Sequence, residues 1–172
     1  MIRLIALFSL AVCMTACNST KEPLRQIPTG NANVLPLALN DNFSFRKISL
    51  FYHDPKVQEA TINPVIQFER QRMNYGAVNA VDRAERYGNY FNIWWRAKQT
   101  SNLIVRLEYR QQHTGSKVQA KEVAYEDAKG TIETKFTVIG DEYLEEGKVI
   151  AWRALLIENG VVVGLRQSFL WN

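Results

Sequence analysis

Few residues of this 172-residue chain could do covalent chemistry, and their spacing suits it poorly. The chain has two histidines, His53 and His113, and only His53 has an adjoining carboxylate, in His53-Asp54. A triad also needs a placed nucleophile and an oxyanion hole. No Gly-x-Ser-x-Gly elbow, His-Glu-x-x-His pair or Gly-rich phosphate loop occurs. Asp141, Glu142, Glu145 and Glu146 form an acidic cluster, but Gly140 and Gly147 bound it, so it reads as a turn between strands. The only cysteines, Cys13 and Cys17, precede residue 20, so the remaining chain has no disulfide, thiolate ligand or cysteine nucleophile. The expectation is a protein that is not an enzyme and holds no metal or cofactor.

Non-covalent recognition has better candidates. In Tyr90 to Lys98, alternation puts Phe91, Ile93, Trp95 and Ala97 on one face and Asn92, Trp94, Arg96 and Lys98 on the other. If Trp95 is core, Trp94 faces outward beside Arg96, where an indole can stack on a sugar ring or anchor a partner. The second candidate lies on the C-terminal hairpin. Asn159-Gly160 between two apolar runs is a strong signal for a two-residue type I′ turn. An unbroken register from that turn pairs Glu158 with Val161 and Trp152 with Gln167. It also sets Arg153 opposite Arg166, sharing a face with Leu155, Ile157, Val162 and Leu170. Like charges facing across strands repel, so they call for a carboxylate such as Glu108 or Glu133, or an anion. The candidate binding surface is therefore Trp94, Arg96, Arg153, Leu155, Ile157, Val162 and Arg166.

The N-terminus supplies an address. Arg3 followed by the apolar run Leu4 to Val12 reads as a secretory leader, too short to span a bilayer as a stable helix. Met14-Thr15-Ala16-Cys17 then resembles the lipobox of bacterial lipoproteins: a large apolar residue, two small ones and a cysteine. The resemblance implies a signal peptide over 1–16 and a mature chain that begins at a lipid-modified Cys17. Several acyl chains, each worth about 0.8 kcal/mol per buried methylene, make such an anchor effectively permanent. Asn18 follows the cysteine. In the sorting logic of enterobacterial lipoproteins this favours the periplasmic face of the outer membrane over the inner membrane.

These features need elements to carry them. Hydrophobic content of 47% and charge of 22% suit a globular domain and argue against disorder. The net charge of +4 suits an anionic partner, but the basic residues are scattered and form no nucleic-acid patch. Residues 17–41, punctuated by Pro23, Pro28, Gly30 and Pro36, read as a tether, with Leu35, Leu37 and Leu39 able to join a sheet edge. Residues 42–172 read as the domain. Strands are expected near Phe43–Tyr52, Val65–Met73, Tyr90–Lys98, Leu103–Tyr109, Val118–Tyr125 and Ile132–Val138, followed by the final hairpin. Asn79 to Tyr87 is the helical candidate, with Asn79 as N-cap and Asp82 in the first turn. The core face of the hairpin is expected to carry Ile150, Trp152, Ala154, Leu156, Val163, Leu165, Phe169 and Trp171. The pattern is all-β with one short helix. It resembles an antiparallel two-sheet sandwich of immunoglobulin or fibronectin-III type, with a small open barrel as the alternative. Together these features lead to an envelope lipoprotein whose domain binds another envelope component, a protein first and a glycan second. A carbohydrate-binding or hydrolytic accessory lipoprotein using Trp94 and nearby polar groups is the alternative of another class, and a purely structural lipoprotein is the third reading.

Overall fold

In the computed structural model, residues 27–29, 34–54 and 63–171 are described. The leader, the lipobox and Cys17 lie outside them. The chain is mostly β, and its strands join one antiparallel sheet curled into a half-barrel. The strands are β1 (Ile27–Thr29), β2 (Phe43–His53), β3 (Gly88–Gln111), β4 (Gln119–Ile139), β5 (Val149–Glu158) and β6 (Val161–Gln167). Among the described residues three short helices interrupt them: α1 (Pro64–Asn74), α2 (Ala80–Ala84) and α3 (Asp141–Glu146).

The organising element is β3. It has 24 residues, where strands commonly have about 5–6. The stretches expected as separate strands at Tyr90–Lys98 and Leu103–Tyr109 are its two halves. Alternation holds within each half and slips between them, where the register to β4 shifts around Ser101. A slip of register bends and twists a strand. β4 accompanies β3 on one side, from Gly88↔Ile139 to Tyr109↔Gln119. On the other side the partner changes: β2 pairs with residues 88–97 and β5 with residues 104–111. The sheet therefore has two wings sharing two long strands.

One face of both wings points into the concavity. Phe91, Ile93, Trp95, Leu103, Val105 and Leu107 are buried there, with Phe136, Val138, Ala154 and Leu156 from β4 and β5. Burying a side chain of this size contributes about 1.5–3 kcal/mol, so this face dominates stability. Trp95 donates its indole N–H to Thr134 Oγ1 at 2.8 Å, which satisfies its polar atom inside the core. Gly88 opens β3 with φ of +143°, and a Cβ there would sit 2.1 Å from the Val138 carbonyl oxygen. Only glycine fits that approach.

Several expectations need correction. Val65–Met73 is not a strand but lies within α1. Asn63 caps it by accepting the Val65 N–H at 3.0 Å, and Pro64 occupies the first turn. Proline is preorganised there, and the following Gln-Phe-Glu-Arg-Gln-Arg-Met run favours helix without alternating. The Asn79 helix is present but short, closed by a reciprocal capping box with Asp82. The acidic cluster forms α3 rather than a plain turn.

The hairpin turn is as expected, with Asn159 and Gly160 both at positive φ. Its register is not. A bulge between the Leu156 and Ile157 pairings displaces every later pair by one, so Arg153 faces Gln167 and Ala154 faces Arg166. The core-face expectation holds for Trp152, Ala154, Leu156 and Val163 and fails for the rest. Leu165 and Ile150 are exposed, Phe169 stands in solvent, and Phe169–Trp171 forms a 3-10 turn.

In the 17–41 segment, β1 pairs with β4 at Glu122, Lys121 and Ala120. Farther along, Ala38 and Asn40 donate backbone hydrogen bonds to Val162 and Val163, and Val162 donates to Pro36. Leu37 forms a parallel bridge with Val162. Pro36, which has no N–H, takes part only as an acceptor.

Candidate functional site

The two wings share one inner core but differ on their outer faces. On the first wing, cross-strand register lays out a grid. Its rows are Ser44–Arg96–Thr131, Lys47–Trp94–Glu133, Ser49–Asn92–Lys135 and Phe51–Tyr90–Thr137. Columns lie about 4.8 Å apart and rows about 6.8 Å. Trp94 occupies the centre of this grid, half-buried, while Trp95 next to it is wholly buried. Arg96, Lys47, Lys135 and Glu133 are exposed around it. The Lys47 ammonium lies 5.3 Å from the Trp94 ring centre, and Lys135 pairs with Glu133 at 3.6 Å.

The α1–α2 segment folds over the far end of this face. His53 Nε2 meets Asn74 Oδ1 at 3.1 Å, and its ring tilts against Tyr87 at 5.2 Å. Arg86 donates to the carbonyls of Met73 (2.9 Å) and Tyr75, tying the segment to itself. The Tyr90 hydroxyl donates to the Arg86 carbonyl at 2.6 Å, and burial pushes its pKa up. Between helix and sheet remains a cleft of about 320 Å³, lined by Arg72, Met73, Arg86, Tyr90, Asn92, Lys135, Phe136 and Thr137. Arg72 is held by Glu69 at 2.7 Å. Cleft and platform share Asn92 and Lys135 and form one continuous site. A π-face, guanidinium and ammonium donors, an amide and hydroxyls meet there, which suits a ligand with ring faces and negative charge.

The outer face of the second wing is closed. Glu108, wholly buried, pairs with Arg153, and its other oxygen lies 3.6 Å from Arg106, which also pairs with Glu122. Trp171 packs its ring between two guanidiniums, Arg110 at 4.8 Å and Arg153 at 4.9 Å. Ser168 holds this terminal turn by exchanging hydrogen bonds with the Trp152 backbone. Leu155, Ile157 and Val162 are buried in a small cluster with Leu35 and Ile104.

The structure thus divides the sequence-derived surface. Trp94 and Arg96 stand together on the open wing. Arg153, Leu155, Ile157 and Val162 belong to the closed one, and Arg166 is exposed away from Arg153 because of the bulge. Sequence reasoning missed Lys47, Arg72, Tyr90 and Lys135. The positions of Lys47 and Lys135 depend on cross-strand register, and that of Arg72 on recognising α1.

The remaining chemistry-bearing groups build structure. Asp54 Oδ2 accepts from Tyr52 (2.6 Å) and Tyr143 (2.7 Å), joining β2 to α3. Burial, then the Asp54 contact, raises the Tyr52 pKa. Glu142 accepts from Tyr109 and from Lys121 (2.7 Å), while Gln111 donates to the Glu142 and Gly147 carbonyls. These bonds dock α3 across one end of the half-barrel. Burial, then Glu142, holds the Tyr109 pKa high. Among the described residues no group of three or more His, Cys, Asp or Glu side chains could hold a metal ion. No described helix is long and apolar enough to cross a membrane. Comparison with protein families, curated proteins and solved structures finds no match for this chain.

Proposed function

We propose that this protein is a lipid-anchored component of the bacterial cell envelope whose β domain binds another envelope component without catalysis. The lipid is proposed at Cys17 of the Met14-Thr15-Ala16-Cys17 lipobox, and Asn18 favours the periplasmic face of the outer membrane. Ile27, where β1 begins, is ten residues after Cys17. A chain that long reaches at most about 35 Å, so this anchor would keep the domain beside the bilayer. The half-barrel serves here as a small open-barrel scaffold, the alternative to the immunoglobulin-type sandwich.

The observation that carries the binding reading is the open outer face of β2, β3 and β4, with Trp94 at its centre and a cleft beside it. A protein partner at the hairpin requires Leu155, Ile157 and Val162 to form an exposed apolar surface. The structure buries all three, so the proposed recognition surface becomes Trp94, Arg96 and the groups around them.

Two measurements test the reading. Metabolic labelling with a palmitate analogue should mark the chain and should fail for Cys17→Ser. An unlabelled wild-type chain removes the anchor. Cross-linking in intact cells should capture an envelope component with wild type and lose it with Trp94→Ala. Equal capture by both removes Trp94 from recognition.

A further inference from the structure

We infer that the ligand of the Trp94 face is an acidic polysaccharide, bound with a sugar ring on the indole and its carboxylates on the surrounding cations. The inference rests on that face being the recognition surface, and it adds the chemical class of the ligand. Three features carry it.

The first is charge. On the four-row grid, Lys47, Arg96 and Lys135 stand against the single carboxylate Glu133. The cleft beyond Lys135 adds Arg72 and Arg86, with Glu69 on Arg72. Arg72, Arg86 and Lys135 already have protein partners, so they set a positive field without being free donors. An anion entering the face meets a net positive potential from platform to cleft.

The second is the surroundings of Trp94. Its cross-strand neighbours are Lys47 and Glu133, and its neighbours along the same face of β3 are Asn92 and Arg96. Every one can form hydrogen bonds, and hydroxyls follow at Ser44, Ser49 and Thr131. A flat apolar ring framed by polar groups matches a sugar, which has a C–H face and a rim of hydroxyls. The Lys47 ammonium now lies over the indole. A sugar ring stacking there would displace it sideways, where it can pair with a carboxylate of the same chain.

The third is shape. Among the described residues the platform is open at the Ser44–Arg96 end, and it runs into the cleft at the Asn92–Lys135 end. An extended polymer can lie along it and place one unit in the cleft. A membrane surface fits less well, because Trp94 is half-buried and no other large apolar side chain stands clear of the rows around it.

The test uses the full lipidated chain in neutral detergent micelles. Its probes are polygalacturonate, a neutral glucan of similar length, a sulfated glucan and phosphatidylglycerol vesicles. The expected result is binding to polygalacturonate at least tenfold tighter than to the neutral glucan, weakening as salt screens the charges. Trp94→Ala should lose about tenfold, Trp94→Tyr should recover most of that, and Lys135→Ala or Arg96→Ala should each lose a few fold. Thermal unfolding confirms that each variant folds.

Equal binding of the sulfated glucan with no dependence on Trp94 would overturn the proposal in favour of charge alone. Binding to the vesicles but not to polygalacturonate would overturn it in favour of a lipid surface. Polygalacturonate failing to bind while Trp94-dependent capture in cells persists would overturn the ligand class and leave the recognition face standing. Loss of both would remove the face as well.

Discussion

The two outer faces of β3 begin from similar sequence and end in different states. On the first wing Asn92, Trp94 and Arg96 alternate with core residues. On the second, Arg106, Glu108 and Arg110 do the same. The first row meets water and a cleft. The second lies beneath a cross-strand ion network and the C-terminal turn, next to an apolar cluster that includes Leu35. Alternation reports only which side of the sheet is core. What covers the other side depends on where distant segments return, and here residues 34–40 and 168–171 return to one wing alone. The same residue types then do opposite work. Glu133 is an exposed neighbour of Trp94, and Glu108 is a buried counter-charge.

That contrast breaks most sharply at Glu108. Glu108→Ala leaves Arg106 and Arg153 without their shared carboxylate, which should cost about 3–5 kcal/mol in denaturant unfolding. A loss under about 1 kcal/mol would mean that the network is exposed and that the wings are alike. Trp171→Ala should cost about 1–2 kcal/mol, since it removes a ring stacked by two guanidiniums and opens the cover. Proteolysis should then remove the C-terminal turn, and an unchanged unfolding curve would deny it a structural role. Thr134→Val, which removes the partner of the Trp95 indole in the shared core, should cost about 1–2 kcal/mol. Glu133→Ala on the open wing should change stability by no more than about 0.5 kcal/mol.

A pH titration tests how far the fold withdraws its tyrosine hydroxyls from water. Burial is the leading cause that raises the pKa of five tyrosines: Tyr52, Tyr90, Tyr109, Tyr125 and Tyr143. Each keeps its proton in the fold when the unfolded chain has begun to lose it, so the unfolded state binds fewer protons. Stability should be fully present below about pH 10, the ordinary tyrosine value, and should fall as pH rises above it. Tyrosinate absorbance should appear together with unfolding. Ionisation of these five at the ordinary value, with the fold intact, would contradict their burial.

Much of this architecture is legible in the sequence. Alternation identifies the core faces of both halves of β3, Asn159-Gly160 identifies the hairpin turn, and Asn79 with Asp82 identifies a capped helix. The failures have local causes. Gly164 breaks the branched run of β6 next to the bulge, where its Cα packs against Leu156 and a Cβ would come within 3.1 Å of Cδ1. A glycine inside a strand is a recognised sign of a bulge, so this register shift was partly readable. Asn63-Pro64 likewise announces a helix start. The grid around Trp94 was not readable. It requires the pairing of β2 and β4 with β3, which join residues about 40 to 50 positions apart, and the return of the α1–α2 segment over only its far end.

The most direct test of the central claim compares the two outer faces in living cells. A photoreactive amino acid is placed at Ser49, beside Trp94 on the open wing, or at Gln167, paired with Arg153 on the closed one. Light should then join the protein to an envelope component from Ser49 and not from Gln167, and Trp94→Ala should abolish the Ser49 adduct. An adduct formed only from Gln167 would place recognition on the hairpin wing and contradict the account.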